Sequence, residues 1–304
     1  MNTTAPAPTR LLEIATAAAH EAAQYLRALD RDHIAREYKT SSHDIVTEHD
    51  RAAEDIIVAA LRDMLPSARI VGEEGGERPA EAPQDTAGEA AAEAGDAAQQ
   101  VSFYVDPIDG TSNFAAGLPL FCISIGVTVG EELVAGVIDA PILGQVFTAA
   151  DGPAMLNGRV LEPRPTRPAR DAMILSGFPG QSIGREAPDF AGPASVELAR
   201  SVSAVRHYGS AALELAYVAA GWADATGLGH INAWDVAAGF HLVRQAGGSI
   251  RTWPGREVAE RPDYLQPAYV ACTGAERLET FDALMEQLQQ LRTSGQGEQL
   301  GAGH

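Results

Sequence analysis

The run Val101-Ser102-Phe103-Tyr104-Val105-Asp106-Pro107-Ile108-Asp109-Gly110-Thr111 constrains this chain more than any other, because an apolar segment ends there in two acids set around Pro-Ile and closed by a glycine. Alternating aromatic and β-branched residues predict a strand, and Pro107 with Gly110 predicts a tight turn at its end. Strand ends are where open α/β sheets present side chains to ligands. Two more acidic positions share that setting: Glu73-Glu74 follow an expected strand at Arg69 to Val71, and Asp235 opens an expected helix. If Asp106, the Ile108 carbonyl and Asp109 converge with these acids, the carboxylates cannot all stay ionised without a cation, since close like charges raise one another's pKa. Oxygen donors without His or Cys suit Mg²⁺ or a close relative. Taken singly, each acid is also a favourable turn or helix-start residue, so the combination carries the argument.

The surrounding pattern predicts a mixed chain of helices and strands. Apolar residues at helical spacing from Leu11 to Leu29 predict a first helix over about Arg10 to Leu29, capped by Thr9. After a polar connection, Thr47-Glu48-His49-Asp50 fits a capping box and opens a second helix that Pro66 stops, so two helices precede the first strand. Phe121 to Thr148 reads as an antiparallel meander. Beyond a Pro/Arg-rich joint, strands near Met173–Leu175, Thr226–Ile231 and Ala268–Cys272 alternate with helices near Ser195–Val202, Ala211–Gly221, Trp234–Ala246 and Ala275–Leu291. The expected division is a lobe over 1–150, a second over 151–292 that completes the site, and a disordered tail over 293–304. Residues 77–99 hold nine alanines, six acids and one arginine with no large apolar side chain, and are expected to form a disordered insertion.

Composition narrows the function. The formal charge of −19 repels polyphosphate backbones and anionic lipid heads, so neither nucleic acid nor membrane is an expected partner. The N-terminal segment is interrupted by Glu13, His20 and Glu21 and no apolar run approaches a membrane span, which predicts a cytoplasmic protein. Cys122 and Cys272 lie in apolar runs and read as buried thiols. Arginine supplies every cation but one: Lys39 is the single lysine, a compact point charge or a chance surface residue. Gly110-Thr111 can offer successive backbone N–H groups to an anion.

These motifs resemble those of the inositol monophosphatase family. Asp44-Ile45-Val46-Thr47-Glu48-His49-Asp50 is similar to its D-x-V-T-x-x-D element, Gly72-Glu73-Glu74 to its G-E-E, and Asp106 to Phe114 to its D-P-I-D-G-T-x-N-F signature. Trp234-Asp235-Val236-Ala237-Ala238-Gly239 resembles its second signature, W-D-x-A-A-G. The resemblance implies a layered αβαβα sandwich (α/β, α+β) and a homodimeric, Mg²⁺-dependent phosphomonoesterase that uses more than one ion. By the same resemblance Glu73, Asp106, the Ile108 carbonyl, Asp109 and Asp235 are the metal ligands, with Glu74 and Lys39 in support. Asp50, Glu73 and Thr111 are the catalytic group that orients and activates the attacking water, although Asp50 has a competing role in the capping box. Gly110, Thr111, Gly209, Ser210 and Ala211 would bind phosphate or neighbouring hydroxyls.

Leu228 stands six residues before Trp234, where the inositol-handling members of the family carry a glutamate. Leucine accepts no hydrogen bond from a ring hydroxyl, so the expected substrate is a small sugar, polyol or related metabolite phosphate rather than myo-inositol phosphate in particular. 3′-Phosphoadenosine 5′-phosphate, histidinol phosphate and fructose bisphosphate are the alternatives. Arg206-His207-Tyr208 is the compact polar trio near the second lobe's turn, and ordinary surface is its plainer reading. A non-catalytic metal or ligand sensor with the same fold is the reading from another class.

Overall fold

A computed structural model describes residues 5–30, 34, 37–38, 45–81, 97–256 and 260–294. Lys39 and the middle of the alanine-rich stretch, 82–96, lie outside the described residues, as does the end of the tail. Helix α1 spans Pro8–Ala28 and α2 spans Glu48–Met64. The expected cap of α1 is corrected: Ala7 is the N-cap and Pro8 occupies the first turn, where a fixed φ suits the helix and the missing N–H costs nothing. Between these helices a two-residue ladder joins β1 (Glu37–Tyr38) to β2 (Ile45–Val46), so the first strands come earlier than the sequence pattern suggests.

The first sheet takes β3 (Arg69–Gly72), β4 (Gly76–Arg78), β5 (Val101–Asp109), β6 (Cys122–Val129), β7 (Glu132–Ala140), β8 (Gln145–Ala149), β9 (Met155–Leu156) and β10 (Arg159–Val160). Its order is β10-β9-β8-β7-β6-β5-β3-β4, with β3 parallel to β5 and β6 to β8 forming the expected meander. Ordered structure enters the alanine-rich stretch from both sides. Glu77 and Arg78 belong to β4 and pair with β3, and a short 3-10 turn covers Ala97–Gln99. Helix α3 (Thr111–Ala115) follows β5 directly.

The second half contributes β11 (Met173–Leu175), α4 (Gly180–Glu186), α5 (Pro188–Ser201), β12 (Ala204–Arg206), α6 (Ala211–Ala219), β13 (Ala225–Leu228), α7 (Ala233–Gln245), β14 (Ser249–Trp253), β15 (Ala268–Cys272) and α8 (Glu279–Thr293). Five strands order as β12-β11-β13-β15-β14. Three apolar clusters define the layers. Leu11, Ile14, Leu26, Ile57 and Leu61 of α1 and α2 pack with Phe103, Ile125 and Val137 on one face of the first sheet. Leu213, Leu215, Phe240 and Leu242 of α6 and α7 lie with Tyr104 and Ile138 of the first sheet and Tyr269 and Ala271 of the second. Ile183, Leu198, Phe281 and Leu288 of α4, α5 and α8 cover the far face of the second sheet. The result is the expected αβαβα stack.

Helix α7 approaches the first sheet unusually closely. A Cβ at Gly126 would sit 2.4 Å from Ala237 Cβ, and one at Gly136 would sit 2.8 Å from Ala238 Cα. A Cβ at Gly239 would meet Leu215 Cβ at 2.6 Å. The Ala-Ala-Gly run after Asp235 is therefore a packing requirement, with small residues facing the glycines of β6 and β7.

Candidate active site

Strand β5 does not stop at Asp106. It continues through Asp109, with Asp106 opposite Ser124 and Asp109 opposite Cys122, so three steps on β5 face two on β6. That extra residue is a β-bulge, and Pro107 falls within it, where a strand tolerates a missing N–H. The bulge also settles which way the acids point: side chains three apart in a regular strand face opposite sides, and one inserted residue returns them to the same side. The turn comes at Gly110, whose φ of +100° suits glycine and leads into α3.

Oxygens of Asp106, Asp109 and Asp235 lie within 4.8 Å of one another. Asp106 also accepts the Ile108 N–H at 3.0 Å. Asp109 is gripped by the start of α6: its Oδ2 accepts from Ser210 Oγ at 2.7 Å and the Ala212 N–H at 2.6 Å, and its Oδ1 from the Ala211 N–H at 3.2 Å. Asp235 is the third residue of α7, where its Oδ2 accepts the Asn232 N–H at 3.0 Å as the acid of a capping box.

The charges in this cluster are unbalanced. Burial, with Glu73, Asp109 and Asp235 nearby, holds Asp106 well above the usual carboxylate range. Asp235 is pushed up to about 8 by burial and then by Asp109 and Glu73. Asp109 is raised to about 6 by burial, opposed by the hydrogen bonds of Ser210 and the α6 backbone. Repulsion by the Glu73 carboxylate contributes to the rise of both Asp106 and Asp235. A donor set of carboxylates with neither imidazole nor thiolate fits a hard divalent cation, which would relieve the repulsion that otherwise drives protonation.

Asp50 has both of the roles that competed in the sequence, one for each oxygen. Its Oδ2 accepts the Thr47 N–H and the Thr47 hydroxyl, both at 2.7 Å, while its Oδ1 accepts from Thr111 Oγ1 at 3.0 Å. Thr111 Oγ1 also lies 3.1 Å from the Ile108 carbonyl oxygen, so the hydroxyl sits between the acid of α2 and the acidic turn. Asn113 Nδ2 donates to the carbonyls of Leu120 and Tyr208, and Phe114 meets His49 and Phe121 edge-on. The last two signature residues therefore fasten the site to its surroundings.

The turn at Gly209-Ser210-Ala211, expected to bind phosphate or neighbouring hydroxyls, lies against Asp109. Ser210 Oγ and the Ala211 N–H serve Asp109, and the neighbouring Tyr208 N–H donates to Glu214 Oε1 at 2.9 Å. The physical reason is the N-terminus of α6, which favours the nearest anion, here a carboxylate of the chain itself. Leu228 ends β13 opposite Tyr269 and packs, partly buried, against the central cluster. Glu74 gives its N–H to Glu54 Oε2 at 2.8 Å.

Three residues that the motifs do not single out stand next to this site. Glu54, 1% exposed, receives the turn after β3. Glu214, pushed up to about 7 by burial, spans from the Tyr208 N–H to Thr226 Oγ1 at 3.2 Å. Cys122, buried as expected, places its Sγ 3.9 Å from Asp109 Oδ2. For Glu54 a signal existed: it lies four residues after Asp50 among the apolar positions of α2, an acid on a face that should be buried.

The model of the inositol monophosphatase family matches residues 7–292. The chain belongs to that family. It is 34% identical over 281 residues to a Pseudomonas aeruginosa protein named Nus factor SuhB, covering 92% of this chain and 96% of the relative. It is 38% identical over 216 residues to an inositol-1-monophosphatase of Mesorhizobium japonicum, covering 70% of this chain and 73% of that one. The crystal structure of the Bartonella henselae extragenic suppressor protein suhB superposes with a TM-score of 0.74 at 30% identity, covering 92% of this chain and 98% of that one. Family and relatives together mark a phosphatase. Among the described residues no helix is long and apolar enough to cross a membrane.

Proposed function

We propose that this protein is a Mg²⁺-dependent phosphomonoesterase acting in the cytoplasm, as a homodimer, on a small sugar, polyol or related metabolite phosphate. The observation that carries the reading is the convergence of Asp106, Asp109 and Asp235 beside the Thr111–Asp50 pair. Glu73, Asp106, the Ile108 carbonyl, Asp109 and Asp235 would hold Mg²⁺, more than one ion per site, with Glu74 in support. Bound there, the metal supplies Lewis acidity: it lowers the pKa of water and neutralises charge on the departing ester oxygen.

The chain's own residues do the positioning. Asp50, locked by Thr47 on one oxygen, orients the Thr111 hydroxyl with the other, which leaves the Thr111 Oγ1 lone pairs to accept from the attacking water. Attack by that water forms a new P–O bond as the ester P–O bond breaks; the water's proton passes toward the Thr111–Asp50 pair with Glu73 alongside, and the departing oxygen takes a proton from solvent water to leave as the alcohol. Gly110 and Thr111 offer backbone N–H groups to the phosphate. Phosphate release from a panel of monoesters, with and without Mg²⁺, tests the reading, and a panel that stays silent with Mg²⁺ would overturn it. The panel includes 3′-phosphoadenosine 5′-phosphate, histidinol phosphate and fructose bisphosphate.

Leu228 addresses the leaving-group side of the same reading. Leu228→Glu is expected to change kcat/KM for polyol phosphates by about tenfold, the scale of one charge-assisted hydrogen bond. A hydroxyl-free phosphomonoester should barely respond. Parallel responses from both substrates would assign Leu228 to packing instead.

A second reading is favoured by the name of the Pseudomonas relative, a Nus factor. On that reading the fold also serves as a non-catalytic partner of another macromolecule. An Asp109→Asn protein that still performs its cellular role without turnover would support it.

A further inference from the structure

Glu54 does its work on the Glu73-Glu74 turn. The turn's three successive backbone donors are all engaged: the Glu73 N–H on the carbonyl of Val105, next to Asp106, at 3.1 Å, then the Glu74 N–H on Glu54 Oε2 and the Gly75 N–H on Glu54 Oε1, each at 2.8 Å. Successive N–H groups make a nest for an anion, and here the occupant is a buried carboxylate of α2. Arg78 Nη2 neutralises it from β4 at 3.0 Å.

The glycines of the motif fit around this contact. A Cβ at Gly72 would stand 2.5 Å from Glu54 Oε2, and one at Gly75 would run into the Arg78 guanidinium first and stand 2.7 Å from Glu54 Oε1. The carboxylate can reach the turn's backbone only because neither position carries a side chain. Glu54 lies four residues after Asp50, so one face of α2 holds both Thr111 and the Glu73 turn.

We propose that Glu54 is a positioning residue that sets the metal affinity of the site by fixing where the turn presents Glu73. The inference rests on the reading of Glu73 as a ligand of Mg²⁺. Groups that orient ligands from behind contribute about 10- to 100-fold to metal affinity, whereas a residue that only supports the fold shifts stability alone.

Mg²⁺ alone, titrated calorimetrically into metal-stripped protein, tests it on wild type, Glu54→Gln, Gly72→Ala and Arg78→Lys, with the exposed Asp55→Asn as control. Glutamine keeps one acceptor and turns an NH₂ toward the other N–H; alanine at 72 pushes the carboxylate off the turn. Both are expected to weaken Mg²⁺ binding by about tenfold or more, while kcat at saturating Mg²⁺ stays within about threefold of wild type. Arg78→Lys and Asp55→Asn should bind like wild type. Glu54→Gln that loses thermal stability yet binds Mg²⁺ with wild-type affinity overturns the inference, and Gly72→Ala decides the matter if the glutamine variant does not fold. Absence of Mg²⁺ binding by the wild type would instead bring down the underlying reading of the site.

Discussion

Asp50 and Asp235 each stand third in a helix that opens with a capping box, and each gives one oxygen to the N-cap backbone N–H, at 2.7 and 3.0 Å. Their second oxygens meet different company. Asp50 finds the Thr111 hydroxyl, a donor, whereas Asp235 faces Asp106, Asp109 and Glu73 and is pushed up to about 8. The same local device therefore yields one carboxylate satisfied by the protein and one that asks for a cation. Helix starts position an acid; what lies opposite decides its chemistry.

The largest expected effect separates the two acids by what they bind. Asp235→Asn should abolish Mg²⁺-dependent turnover and the Mg²⁺-induced rise in Tm. Asp50→Asn should also lose most turnover while keeping that rise. Asp235→Asn retaining more than about a tenth of the wild-type rate at saturating Mg²⁺ would remove it from the site. In EDTA, Asp235→Asn should match or exceed wild-type stability, because a repelling charge has gone.

Next in size is a pH effect confined to the crowded side. Asp109 and Asp235 have folded pKa values raised to about 6 and about 8, above their unfolded values, so the folded state binds more protons between them. Stability present at low pH is then lost as pH rises through that window, by up to about 1.4 kcal/mol for each tenfold difference in proton affinity between the folded and unfolded chain. Metal-free protein should melt several degrees lower near pH 8.5 than near pH 5.5, and Asp235→Asn should flatten the slope. Glu214, raised to about 7, contributes in the same direction. A metal-free Tm that rises over this range would contradict the account of the cluster.

The smallest effect concerns the caps. Thr47→Ala removes a side chain that both caps α2 and donates to Asp50, and should cost about 1 kcal/mol of stability. It should also lower kcat, since Asp50 is then free to turn from Thr111. Equal kcat in Thr47→Ala and wild type, with stability lost, would leave Thr47 as a cap only.

Much of this was legible from sequence because the helix starts, the strand end and the acids are local features. Thr47 through Asp50 forms the capping box that its spacing predicts, and the meander from Cys122 to Ala149 follows its alternation. What escaped depends on contacts between distant residues. The bulge in β5 exists only in its register with β6, and although the spacing of Glu54 from Asp50 marks it as buried, nothing in that spacing names the turn twenty residues away that it binds. The donors of Ser210 and Ala211 are visible as an anion-binding turn, but their contact with Asp109, distant in the chain, leaves no local trace. Helix α4 and strands β12 and β14 are short, and tertiary packing rather than local preference secures them.

The seating of α7 on bare glycine backbone at Gly126 and Gly136 has a mechanical consequence for the helix that carries Asp235. With only alanine methyls between helix and sheet there is no compliant layer to absorb strain, so any displacement of β6 or β7 passes undamped to the carboxylate within a turn of the contact. A single methyl added at position 126, which is itself no ligand, would act as a shim, lifting Asp235 away from Asp106 and Asp109 and retuning the width of the cluster without altering one atom of it.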